Sequence, residues 1–170
     1  MPVAVIHSEG GSTTTNAEDS RVTTGSLPAG SNRVAYLWTY FATQLAATAT
    51  LGGNAMTAIA ATGNGRLWRL VNPPTGAQTL IIGNGAAYTP TLYSLIVLSG
   101  VDTATPNGTV VSASGTSTAA SSGSVTVPSD GLAVGFVRAG YIGASTLPAI
   151  VSPSTLRGPA RDGSSGHQIA

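Results

Sequence analysis

The sequence contains no cysteine and no lysine. Without cysteine there is no disulfide and no thiolate metal site. Without lysine, the permanent cations are seven arginines, at positions 21, 33, 66, 69, 138, 157 and 161, against six acids, for a formal net charge of +1. Scattered in this way, they make no field that would draw in nucleic acid or an anionic membrane. Charged residues make up only 8% of the 170. No apolar run reaches bilayer-spanning length. The opening MPVAVIHSEGG lacks a basic n-region and its apolar run is short, so no signal peptide is expected. Helical periodicity is nearly absent too. The Ala-rich stretch 42–49 is interleaved with Thr and runs towards Gly52-Gly53, which reads as strand or loop.

What remains is a chain of small residues, 42% of it hydrophobic and gathered in organised runs, which excludes a disordered chain. A neutral, Ser/Thr-coated surface suits a protein whose neighbours cover it, and also an extracellular β domain. One domain of this length can bury a real core.

The runs are β-type and are separated by Gly, Asn and Pro. The expected strands are Val3–Ile6, Arg21–Ser26, Arg33–Ala42, Ala55–Ala60, Arg66–Val71, Gln78–Ile82, Tyr93–Leu98, Thr109–Ser114, Ser124–Val127 and Leu132–Val137. RVAYLWTYFA is the strongest: Val34, Tyr36, Trp38 and Tyr40 share one face, and Ala35, Leu37 and Phe41 the other. Apolar residues on both faces predict a central strand covered on both sides. RLWRLV places Trp68 and Leu70 with Arg66, and Leu67 and Val71 with Arg69. Gly63-Asn64-Gly65 and Gly83-Asn84-Gly85 suit tight hairpins. Asn72-Pro73-Pro74-Thr75-Gly76 is excluded from a strand interior.

The fold expected is therefore all-β: an antiparallel, jelly-roll-like sandwich of about 8–10 strands. The expected divisions are an N-terminal arm (1–20), a sandwich (21–150) and a C-terminal tail (151–170). The stretches 7–20 and 152–170 are strand-poor and read as arms that order against a partner. The segment 115–124 is low-complexity and reads as an exposed loop. The predicted core is Val34, Tyr36, Trp38, Leu67, Trp68, Leu70, Leu95, Val97, Leu132, Val134 and Phe136.

Candidate chemistry is sparse. Asp102 follows the strand Tyr93–Leu98 and precedes Thr103 and Pro106, the position of a carboxylate that caps a turn. A catalytic pair would need Glu9, Glu18, Asp19, Asp130 or Asp162 brought to it by folding. His7-x-Glu9 puts both side chains on one face of an extended segment, and with Glu18 and Asp19 would give a metal-type set, although a Gly/Ser/Thr-rich arm holds nothing rigidly. The second histidine, His167, is near the far end. There is no Gly-x-Ser-x-Gly elbow and no phosphate-binding glycine loop. Asn107-Gly108-Thr109 matches a glycosylation sequon but reads as a turn. Tyr36, Trp38, Tyr40, Trp68, Tyr88, Tyr93 and Tyr141 fill the core or make a carbohydrate-stacking face. Trp38 and Trp68 alternate with aliphatics, which favours core, and Tyr88 is the best placed to be exposed. No catalytic, cofactor-binding or metal residue is assigned, and no enzyme activity is expected.

Four segments fall in a familiar order: Asn32-Arg33-Val34, then LGGNAMT (51–57), LWRLVNPPTG (67–76) and LSGVDTATP (98–106). Over about residues 30 to 140 the chain resembles a β-sandwich module of bacterial secreted proteins and phage virion proteins. The resemblance implies a structural role for Asp102 and carries over no catalytic residue. Unlike the bacterial examples, the chain shows no secretion signal and no second module. In that respect it resembles the capsid decoration, or cement, proteins of tailed phages, which are often trimeric. What this implies is a non-enzymatic protein of the virion capsid surface, made in the host cytoplasm. Its expected partners are the major capsid protein and copies of itself, as a homo-oligomer, with neither nucleic acid nor membrane. Residues 1–20, 152–170 and 115–124 are the segments expected to touch those partners. The alternative is a carbohydrate-binding or adhesive module of a phage tail or bacterial surface, and a glycan hydrolase or lyase is the third reading.

Overall fold

The computed structural model describes residues 2–13, 19–41, 46–83, 91–113, 124–136, 138–139, 160–161 and 168–169. Among these residues there is no helix. The chain is an all-β sandwich of antiparallel sheets. The larger is five-stranded, in the order β1 (Ala4–Thr13), β9 (Thr91–Ser99), β3 (Val34–Phe41), β7 (Gly65–Val71), β6 (Thr57–Thr62). The smaller is four-stranded, in the order β2 (Asp19–Thr23), β8 (Thr79–Gly83), β4 (Thr48–Leu51), β5 (Asn54–Ala55). Three two-residue strands, β10 (Arg138–Ala139), β11 (Ala160–Arg161) and β12 (Gln168–Ile169), pair separately.

β3 is central in the larger sheet and every one of its residues is buried. Its two faces separate as its alternation predicts. Ala35, Leu37 and Phe41 point inward and join Trp68, Tyr93, Leu95 and Val97 of the same sheet. That layer packs against Ala49, Leu51, Leu80 and Ile82 of the smaller sheet, which makes the sandwich core. Val34 and Tyr36 point outward with Ile96 and Leu98, and Trp38 and Tyr40 with Leu92. The register is continuous: Leu37 lies between Trp68 and Leu95, and Trp38 between Leu67 and Ser94. β7 divides as predicted, with Trp68 and Leu70 on the inner cluster and Leu67 and Val71 on the outer. On the inner face the Arg66 guanidinium stacks 5.3 Å from the Trp68 ring centroid, and its Nη1 donates to the Ala46 carbonyl at 2.6 Å. Trp68 Nε1 donates to Thr39 Oγ1 at 2.9 Å, so the buried indole is satisfied.

The turns follow their residues. Gly52 and Gly53 take φ of 58° and 79° between β4 and β5, a conformation that side chains resist. The chain then changes sheets at Met56, which is buried and donates its N–H to Ala49 O at 2.9 Å.

Several expectations need correction. Residues 7–13 are not strand-poor: β1 continues to Thr13, laddered to β9 along its length with an irregularity between Val5 and His7. Glycine and serine hid this strand, because an edge strand backed by β9 needs few large side chains. Thr109–Ala113, Ser124–Val127 and Leu132–Phe136 have strand-like sequences but no ladder partner among the described residues. Leu132 is exposed rather than core, and Leu67, Leu70, Val134 and Phe136 are partly buried. The other predicted core residues are buried.

The Trp38 ring crowds Gly65 on the neighbouring strand, where a Cβ would run into it. The ring is rigid and has Phe136 stacked on it at 6.2 Å and 15°. Gly65→Ala is therefore expected to destabilise the fold by about 1–3 kcal/mol, the usual cost of overpacking. Equilibrium urea unfolding measures it, and an unchanged midpoint would contradict this packing.

Candidate interaction surface

Asp102 follows β9, just past Gly100 at φ 74°. Its Oδ2 accepts the Thr105 hydroxyl at 2.6 Å and its Oδ1 the Ala104 N–H at 2.9 Å. These bonds, the hydroxyl first and the amide second, hold its carboxyl below the ordinary aspartate value. Asp102 is thus a solvent-facing turn cap, as its sequence context predicts.

His7 and Glu9 share one face of β1, as expected, and that face points into the sandwich towards Val97 and Leu95. Glu9 Oε2 accepts the Gly25 N–H at 2.8 Å, tying the edge strand to the segment after β2. His7 Nε2 comes within 3.1 Å of the same oxygen, but the contact is not aligned as a hydrogen bond. Asp19 is at the opposite end of β2, paired with Gly83 and 3.8 Å from Arg21. The proposed grouping of His7, Glu9 and Asp19 is therefore not assembled. Among the described residues no three His, Cys, Asp or Glu side chains gather into a metal-holding group. Glu18, Asp162 and His167 lie outside the described residues.

The described tryptophans and tyrosines serve the core. Trp38, Trp68, Tyr36, Tyr40 and Tyr93 are all buried. Burial pushes the Tyr36 phenol above its ordinary value, with Arg69 opposing, and burial followed by the Glu9 charge raises that of Tyr93. Tyr88 and Tyr141 lie outside the described residues.

The outer face of the larger sheet is covered by chain that follows β9. Val101, Val134 and Phe136 pack on it. Tyr36 donates its hydroxyl to Pro106 O at 2.7 Å, and Arg69 Nη1 donates to Asn107 Oδ1 at 2.8 Å. The cover is incomplete in its polar pairing: Trp38 Nε1, Ser94 Oγ and Arg69 Nε on this face are buried without a partner among the described residues. Beyond these tethers the chain turns its apolar side chains to solvent. Val110, Val111, Val125, Val127 and Leu132 are 37–43% exposed. Sequence reading placed all five in strands and Leu132 in the core. The signal that distinguishes them is the absence of a ladder neighbour among the described residues, which a single sequence does not display. The loop 115–124, apart from Ser124, and most of the tail 152–170 lie outside the described residues.

Compared with known proteins, the chain matches no family model, no curated protein and no solved structure.

For Asp102 the pH dependence has a definite sign. A folded value below the unfolded one contributes stability that is present above the unfolded aspartate range and lost as pH falls through the folded value. In Thr105→Ala the Asp102 carboxyl should titrate at higher pH than in the parent protein. NMR titration of the carboxyl carbon reads this, and an unmoved midpoint would remove the hydroxyl as the main cause.

Proposed function

We propose that the chain is a non-enzymatic structural protein of a virion, one that decorates or cements a phage head through neutral protein–protein contacts. Its partners in this reading are the major capsid protein and further copies of itself. The observation that carries the reading is the apolar chain after β9. Between Thr109 and Leu132, five large apolar side chains face solvent, and Asp130 is the only charged residue in the stretch. Exposed apolar groups gathered on one stretch mark contact surfaces. Four of the five are β-branched valines, and Val125 and Val127 alternate with Thr126, which suits added strand pairing. A neutral contact also avoids the desolvation cost of burying charge. The resemblance over residues 30 to 140 supports the same reading, and the burial of Trp38, Tyr36, Tyr40, Trp68 and Tyr93 removes them from any sugar-stacking platform.

The test is cosedimentation of the purified protein with heads of the encoding virus from which it has been stripped. Saturable binding is expected, and Val110→Ser with Val125→Ser should weaken it. Absence of head binding would sink the proposal. Retention on a glycan array, lost in Tyr88→Ala or Tyr141→Ala, would then establish the adhesive module in its place.

A further inference from the structure

The sandwich has four edge strands, and they are not alike. β5 is two residues long. β2 displays the exposed pair Asp19 and Arg21. β1 is interrupted between Val5 and His7 and turns His7 and Glu9 inward. Short length, outward charge, an irregularity and inward charge are all devices that keep a sheet edge from joining another chain.

β6 has little of this protection. It reads TAIAAT, with no charge, proline or glycine. Thr57, Ala58 and Ala61 are exposed. Among the described residues its ladder is with β7 alone, and past the irregularity between Ala58 and Ala60 the pairing is regular to Thr62. The neutrality extends well beyond the strand, since no charged residue occurs from 34 to 65.

We propose that β6 is a self-association edge, through which two copies of this chain pair antiparallel about a twofold axis and join their larger sheets into one. Twofold symmetry sets each strand against itself, so its own sequence must be complementary in reverse. With full overlap, Thr57 opposes Thr62, Ala58 opposes Ala61 and Ile59 opposes Ala60. Every pair is neutral, and the outer pairs bring threonines together, which is a favourable cross-strand match. The same operation on β2 would set Arg21 against Arg21. The inference goes beyond the virion reading and does not depend on it, because the dimer and head binding are measured separately.

The experiment is light scattering of the full chain over a range of concentrations. The wild-type mass should approach twice that of one chain. The variant A58K/A61K sets lysine against lysine twice by symmetry, and its dimer dissociation constant should rise on the order of tenfold or more. The variant A58K/A61E sets lysine against glutamate and should recover the dimer. Circular dichroism checks that each variant is folded; if the double variant is not, Ala61→Lys, which sets lysine against Ala58 and puts a charge on the edge, replaces it and should weaken the dimer. A wild-type chain that stays single at all concentrations, a trimer mass, a lysine variant that keeps the wild-type dimer, or a charge-paired variant that fails to recover it would each overturn the pairing.

Discussion

β3 has no solvent face. Val34 through Phe41 are all buried, and their alternate side chains require cover on opposite sides of one sheet. A strand of this kind cannot sit in a sandwich that is wet on its outer side. The inner half of the requirement is met by the four-stranded sheet, whose Leu51, Leu80 and Ile82 interdigitate with Leu37, Phe41 and Leu95. The outer half falls to chain that has already left the ladder.

The two covers differ in kind. On the inner side, backbone pairing fixes the strands and side chains fill the layer between them. On the outer side, the tethers are individual: a tyrosine hydroxyl on Pro106, a guanidinium on Asn107, and a ring stack between Trp38 and Phe136. Three buried polar atoms on that side have no partner among the described residues, and unpaired buried donors are costly. A layer held by few directional contacts and showing valines to solvent leaves apolar surface open to contact.

The double-sided burial of β3 and the division of β7 were legible in the sequence, because alternation maps directly onto the faces of a strand. The turn role of Asp102 was legible for a related reason: a carboxylate two and three residues before its donors satisfies them locally. β1 was missed beyond Ile6 because SEGGST carries no hydrophobic pattern; its place is set by the β9 backbone, and Gly11 is fitted beneath Tyr93. The converse error arose at Val110, Val125 and Leu132, where the pattern is good but pairing depends on a neighbour. Of the candidate site, the residue types were visible and their distances were not: only folding puts Glu9 against Gly25 and leaves Asp19 at the other end of β2.

The arginines carry one more consequence. Arg33 donates to the carbonyls of Gly30 and Pro28, Arg66 to that of Ala46, and Arg69 to the amide oxygen of Asn107. These cations act as braces between segments of the chain. With seven arginines against six acids and a net charge of +1, the molecule presents little long-range potential to an approaching body, and encounters with it are governed by diffusion and by trial of orientations at contact. Such association is slow to select but nearly indifferent to ionic strength.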